Sequence, residues 1–331
     1  MFKKITIYGV GAIGGWMGAR LAAQGARLGC VARGATLAAL REQGLRLVEA
    51  GADGQPQERA FAVQAAADPA ELGEQDLVIV AVKAPAMAEV ARHIAPLLGP
   101  RTVVLTAMNG VPWWFLQGFG GALAGTRLAS VDADGAIERA IPARQVIGCV
   151  VHASCSLDAP GVVRRHFGNG LIVGEPAGGD SPRLAALAAL LRAAGFDTTV
   201  SPQIQKDVWY KLWGNMTINP ISAFTGVTAD RVLDDELARG FVSAVMLEAR
   251  EIGARIGVPI TETPEDRHRV TRKLGVFTPS MLQDVRAGKP VEIDALVGAV
   301  RELGQLAGVA TPFTDALLGL ARLHARQLGL Y

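Results

Sequence analysis

Ile5-Thr-Ile-Tyr-Gly9-Val10-Gly11-Ala12-Ile13-Gly14-Gly15 decides the fold: a short apolar strand runs directly into the spacing G-x-G-x-x-G. Each glycine has its own reason to be there. Gly9 permits a tight turn, Gly11 lets the backbone approach a phosphate, and Gly14 lets the following helix pack close to the strand. That helix is predicted from Trp16 to Gln24, with Gly25 as its stop. Its N-terminus, rich in unpaired N–H groups, is an anion site suited to a nucleotide pyrophosphate. Such glycine spacing is common by chance; its place between the first strand and the first helix makes it specific.

Working outward, Arg27 to Gly34 reads as a second strand and Thr36 to Gly44 as a helix with a glycine stop. Leu77–Val82 and Thr102–Ala107 are continuous apolar runs, as in parallel strands covered on both faces, and Met87 to Leu98 fits a crossover helix between them. The order is that of a doubly wound α/β domain. Val146 to Ser156, Gly161 to His166 and Leu171 to Glu175 are expected to add antiparallel strands, followed by a helix from Ser181 to Gly195 and a last strand from Phe196 to Val200. Beyond Pro202 helical periodicity takes over, punctuated by Pro220, Pro259, Pro279, Pro290 and Pro312. The expected fold class is α/β: a Rossmann-like, dinucleotide-binding domain over 1–200 with added antiparallel strands, then an all-α substrate and catalytic domain over 201–331.

The 331 residues, half of them hydrophobic, can build two cores, and 33 Lys+Arg against 31 Asp+Glu leave a net charge of only +2. With no long basic block, nucleic acid and anionic membrane are poor partners, and a small molecule is the better expectation. No apolar run reaches the roughly 18 residues of a membrane span. Three widely spaced cysteines suit reduced thiols in the cytoplasm rather than a disulfide framework. Cys149-x-x-His152-x-x-Cys155 has zinc-type ligands, but residues three apart on a strand face opposite ways, so no metal is expected.

In NAD-binding versions of this unit an acidic residue lies roughly 20 positions past the glycines and bonds the ribose 2′-hydroxyl. Here Arg33 closes the second strand and no acidic residue follows until Glu42, which favours NADP. Lys83 and Asn109 each end a predicted buried strand, where open α/β sheets bind ligands, although Asn109-Gly110 is also a common turn pair. Lys211, Asn215 and Asn219 recur four apart and form one polar line on a helix otherwise rich in Trp209, Leu212, Trp213, Met216 and Ile218. A buried polar line needs partners, a ligand among them; an exposed polar face is the plainer alternative.

These segments together resemble the ketopantoate reductase family over nearly the whole chain. The resemblance is carried by Gly9-x-Gly11-x-x-Gly14, Ala32-Arg33-Gly34, Val82-Lys83-Ala84, Asn109-Gly110, Trp209-Tyr-Lys211-Leu-x-x-Asn215-x-x-x-Asn219-Pro220, and Pro279-Ser280-Met-Leu-Gln-Asp284 leading to Glu292-Ile-Asp294. It implies NADPH-dependent reduction of 2-dehydropantoate to pantoate in pantothenate biosynthesis. By position it implies Lys211 as the catalytic lysine that protonates the C2 carbonyl oxygen, and Glu292 as the acidic partner near that centre. Asn215, Asn219, Ser280 and Asn109 would contact substrate. Gly9, Val10, Gly11, Ala12, Ile13, Gly14, Arg33, Lys83 and Asn109 would line the cofactor, with Arg33 on the 2′-phosphate.

Two positions depart from the family pattern: Phe277 stands where some members carry a substrate-binding asparagine, and Met108 where Gln or His is usual. Trp113-Trp114-Phe115 is expected to place aromatics beside the site. These departures leave the 2-oxo acid open, since one lost hydrogen bond in a buried polar site changes selectivity by orders of magnitude. A reductase of another 2-oxo acid and a non-catalytic NADP-binding sensor are the rival readings, and a homodimer is a further expectation. Arg267, Arg269, Arg272 and Lys273 are read as a solvated helix face.

Overall fold

The computed structural model describes residues 2–51 and 54–331. Its strands are β1 (Lys4–Tyr8), β2 (Arg27–Val31), β3 (Leu45–Ala50), β4 (Pro56–Phe61), β5 (Gln64–Ala66), β6 (Leu77–Val80), β7 (Val103–Ala107), β8 (Val146–Ala159), β9 (Val162–Gly174) and β10 (Asp197–Val200). Its α-helices are α1 (Ala12–Ala23), α2 (Gly34–Gln43), α3 (Met87–His93), α4 (Ala136–Ala140), α5 (Pro182–Ala193), α6 (Ile204–Thr225), α7 (Ala229–Asp234), α8 (Glu236–Ile256), α9 (Pro264–Arg272), α10 (Ser280–Arg286), α11 (Ala299–Ala307) and α12 (Pro312–Gln327).

All strands join one sheet in the order β4-β3-β9-β8-β7-β6-β1-β2-β5, with β10 on β9. The centre is parallel: β1 lies between β2 and β6, and β7 follows β6. Both faces of β1 are covered, so Ile5, Thr6, Ile7 and Tyr8 are all buried, which is why its sequence lacks alternation. Beneath it α1 brings in Trp16, Met17 and Leu21, and α5 brings in Leu184, Leu187 and Leu191. Trp16 meets Phe196 edge-to-face at 4.9 Å between ring centroids.

The later strands supply the expected antiparallel addition as the pair β8 and β9, while joining their other neighbours in parallel. β8 is antiparallel to β9 but parallel to β7, and β9 is parallel to both β3 and β10. The expected segments 161–166 and 171–175 are one strand, β9, because the backbone ladder with β8 continues through shifts in register near Ala153 and Cys155. β3 and β4 form an antiparallel hairpin with no sequence signal, since β4 is polar and mostly exposed.

The chain divides into two compact units. The first holds 1–82, 86–108 and 136–204; the second holds 83–85, 109–135 and 205–331. The short pieces 83–85 and 109–135 lie within the 1–200 span assigned from sequence to the nucleotide domain, yet they pack with the second unit. That second unit is helical, and within it Pro220 sits inside α6 instead of ending it. Pro220 removes one N–H, but the helix runs on to Thr225. No helix among the described residues is long and apolar enough to cross a membrane.

Candidate active site

In the first unit the glycine turn is built as its spacing requires. Gly9 has φ +96°, and a Cβ there would lie 2.5 Å from Val82 Cγ1. At Gly14 a Cβ would lie 2.2 Å from the Gly9 carbonyl oxygen, so α1 can start this close to β1 only without a side chain. Gly11 is different: a Cβ there would meet nothing within 4 Å, which leaves open space in front of the helix start. Gly11 is also the N-cap and offers no side-chain cap, and the first helical bond runs from Gly15 N–H to the Gly11 carbonyl at 2.8 Å. The amides of Ala12, Ile13 and Gly14 precede that bond and are the ones an anion can take. Val10 is buried, while Ala12 and Ile13 are half-buried at the rim. A dinucleotide pyrophosphate fits this uncapped, side-chain-free cradle.

Arg33 is the N-cap residue of α2, and its guanidinium is mostly exposed. It is not solitary. Its Nη2 donates to Glu89 Oε1 on α3 at 2.8 Å, and Glu89 also takes Arg92 and lies 3.2 Å from His93 Nδ1. Hydrogen bonds from Arg33 and Arg92 hold the Glu89 carboxyl down at about 2. The sequence shows no acidic residue near Arg33 because this one arrives from 56 positions away.

In the second unit Lys83 sits between two carboxylates. Its Nζ donates to Asp284 Oδ2 at 2.6 Å and lies 3.5 Å from Glu292 Oε2, while the Ala84 N–H donates to Glu292 Oε1 at 3.0 Å. Burial works against the Lys83 ammonium, but Glu292 and Asp284 together hold its pKa above the ordinary lysine value. Glu292 is only 5% exposed, and burial pushes its carboxyl pKa up despite Lys83 and the Ala84 N–H. Asp284, on α10, belongs to a segment whose spacing is legible in the sequence, yet no role for it could be read before its partner was known.

Immediately after Glu292 the chain makes a π-helical turn, Asp294–Gly298, and the Asn109-Gly110 turn is seated on it. Gly110 has φ +83°, a Cβ there would lie 2.7 Å from the Ala295 carbonyl oxygen, and the Val111 N–H donates to that oxygen at 2.8 Å. Gly110 and Val111, the residues after Asn109, are thereby held against the segment that follows Glu292. On α6, Trp209 and Trp213 are buried, and Trp213 Nε1 donates to the Met246 carbonyl on α8 at 2.7 Å. This anchoring fixes the helix so that Lys211 and Asn215 stay half-buried while Asn219 is buried. Asn219 Nδ2 donates to Ser280 Oγ at 3.4 Å, joining α6 to the first residue of α10.

The aromatics that follow Asn109-Gly110 are not a surface feature. Trp113, Trp114 and Phe115 are buried in the second unit: Phe115 packs on Trp209 and Phe119, and its carbonyl accepts from Gln205 Nε2. Apolar bulk of that size is drawn inward. The basic cluster on α9 is not uniformly solvated either. His268 is buried against Ser243, and Arg267 lies over the Tyr210 ring, with Gly214 leaving room for its guanidinium.

Comparison with known proteins covers nearly the whole chain. The pattern describing ketopantoate reductase PanE/ApbA matches residues 5–178, and the pattern for the ketopantoate reductase PanE/ApbA C terminal matches residues 203–325. A 2-dehydropantoate 2-reductase of Mesorhizobium japonicum is 46% identical over 329 residues, 99% of each chain. A solved structure from Ralstonia solanacearum, assigned to the ketopantoate reductases, superposes with TM-score 0.93 at 55% identity over 100% of both chains. A PanE/ApbA family ketopantoate reductase from Ralstonia eutropha gives TM-score 0.82 at 26% identity, covering 98% of this chain and 99% of that one.

Proposed function

The chain belongs to the ketopantoate reductase family, and on that premise we propose that it reduces ketopantoate to pantoate with NADPH, a step of pantothenate biosynthesis. The observation that carries this reading is the pairing of an uncapped glycine cradle ending in Arg33 with a second unit that retains Lys211, Asn219–Ser280 and the buried Glu292.

NADPH supplies the hydride when bound. Gly9 to Gly14 would take its pyrophosphate on backbone amides, Arg33 its 2′-phosphate, and Lys83 and Asn109 the remainder of the cofactor. Hydride arriving at C2 of the keto acid builds negative charge on the carbonyl oxygen. Lys211 is the group we assign to meet that charge, donating its proton to the oxygen. Asn215, Asn219, Ser280 and Asn109 are assigned to orient the substrate. Glu292 accepts from Lys83 and from the Ala84 N–H, so its ionised form is the one this arrangement uses.

We place the enzyme in the cytoplasm, where its three free cysteines would stay reduced. We also propose a homodimer; the exposed Phe313, Leu320 and Leu323 on α12 support it, being spaced along one face. Light scattering on the wild type and on a Leu320→Glu/Leu323→Glu variant checks the assembly.

The activity is tested by following NADPH oxidation over a panel of 2-oxo acids that includes ketopantoate, with Lys211→Ala as control. Turnover of ketopantoate lost in the control is the expected result. Tight NADPH binding with no turnover of any acid would overturn it.

A further inference from the structure

The carboxyl end of β1 carries a group that the proposed chemistry leaves unused. Tyr8 is 6% exposed, and its hydroxyl is buried with no hydrogen-bond partner among the described residues, a costly state for a phenol that ordinarily finds an acceptor. Its position is well defined: in the ladder Tyr8 stands level with Val31 on β2 and Val80 on β6. Val31 is two residues from Arg33, and the end of β2 is held to β5 by the Ala32 N–H bond to the Ala66 carbonyl. The charges that act on the Tyr8 hydroxyl are Arg33, Glu89 and Asp68.

Two guanidiniums, from Arg33 and Arg92, converge on the single carboxylate of Glu89. His93 adds a third nitrogen at 3.2 Å. An acceptor ringed by several donors, beside an orphaned hydroxyl and at the end of the second strand, is the arrangement a phosphoryl group would require.

We propose that Tyr8 and Arg92 join Arg33 as the receptor for the 2′-phosphate of the dinucleotide, and that Glu89 is a placeholder whose carboxylate occupies the phosphate's position until the ligand displaces it. This rests on the NADPH reading above and deepens it. Arg33 and Arg92 supply charge, and the Tyr8 O–H donates to a phosphoryl oxygen. Glu89 keeps both guanidiniums gathered in the free protein but repels the bound dianion. Asp68 is the other carboxylate facing the group; it is engaged in capping the short turn that follows it, where its Oδ1 accepts from the Ala70 N–H.

The test is calorimetric binding of 2′,5′-ADP and 5′-AMP, which differ only in the 2′-phosphate, to the full-length protein. Tyr8→Phe and Arg92→Ala are each expected to weaken 2′,5′-ADP about threefold to tenfold and to leave 5′-AMP unchanged. Glu89→Gln is expected to tighten 2′,5′-ADP by a similar factor. Wild-type affinity in both Tyr8→Phe and Arg92→Ala would overturn the receptor, and weaker binding in Glu89→Gln would overturn the placeholder. A wild type that binds both nucleotides equally would instead sink the NADPH reading itself, whereas a preference abolished only by Arg33→Ala would keep that reading and remove this one. Thermal unfolding of each variant separates lost contacts from lost structure.

Discussion

The two units handle charge in opposite ways. At the end of β2 the ion pairs are open to solvent: the Arg33 side chain is 62% exposed and that of Glu89 33%. Around Lys83, whose own side chain is 40% exposed, the carboxylates are sheltered, the Glu292 side chain 5% exposed and that of Asp284 12%. Exposed pairs are weak and exchange partners readily, which suits a site that must release one anion and accept another. Buried pairs are set by desolvation and geometry, and removing one partner strands the other. The first arrangement favours exchange of partners; in the second, burial and the neighbouring charges set each group's ionisation.

The largest effect should come from Lys211→Ala. If Lys211 is the proton donor we propose, kcat is expected to fall by about 10²- to 10⁴-fold while NADPH fluorescence still reports binding. A change below tenfold would remove Lys211 from the chemistry and make the buried region structural.

Next is Gly14→Ala. The added Cβ would overlap the Gly9 carbonyl, since the available distance is 2.2 Å. Overpacking of this kind costs about 1–3 kcal/mol, and α1 must back away from β1, so both the unfolding midpoint and NADPH affinity should drop. Unchanged affinity would show that the cradle tolerates a displaced helix.

Glu292→Gln addresses the buried side directly. Because burial raises the pKa of this carboxyl in the folded state, the native protein holds its proton more tightly than the unfolded chain does. Its contribution to stability is therefore greatest below the unfolded value of about 4.3 and declines as pH rises through the folded pKa. On the proposed role of Glu292, which uses the ionised carboxylate, activity should rise through the same window and give an acid limb above the ordinary carboxylate range. In Glu292→Gln that limb should vanish, kcat/KM should fall by about tenfold to a hundredfold, and the midpoint of thermal unfolding at pH 7 should match or exceed the wild type. An acid limb that survives in the variant would assign it to another group.

The smallest effect belongs to the exposed region. Arg33→Ala is expected to raise KM for NADPH by about tenfold, the scale of one charge-assisted contact in solvent, with KM for NADH nearly unmoved. Equal effects on the two cofactors would mean that Arg33 acts through α2 rather than on the phosphate.

How much of this was legible in the sequence depends on how far apart in the chain the interacting parts lie. The glycine cradle is contiguous, so each residue's reason could be read from its neighbours. The line Lys211, Asn215, Asn219 was legible because helical periodicity places residues four apart together. The β3–β4 hairpin was not, since an exposed edge strand needs no apolar alternation and carried none. Glu89 was equally hidden: nothing in a surface helix announces that its third residue will meet an arginine from the end of β2. For Tyr8, the sequence offered only an aromatic closing a strand.

The sequence by itself determined the doubly wound domain, the glycine turn at the start of α1 and the helical second unit, because backbone sterics at glycine and the periods of strand and helix act over a few residues. Only the tertiary structure decided which groups meet: that Lys83 is held by Asp284 and Glu292, that Gly110 and Val111 rest against the turn after Glu292, and that the Tyr8 hydroxyl has no partner among the described residues, with Arg33 and Glu89 nearby. Burial and pairing are properties of the space between distant segments, and burial sets how strongly each charge acts.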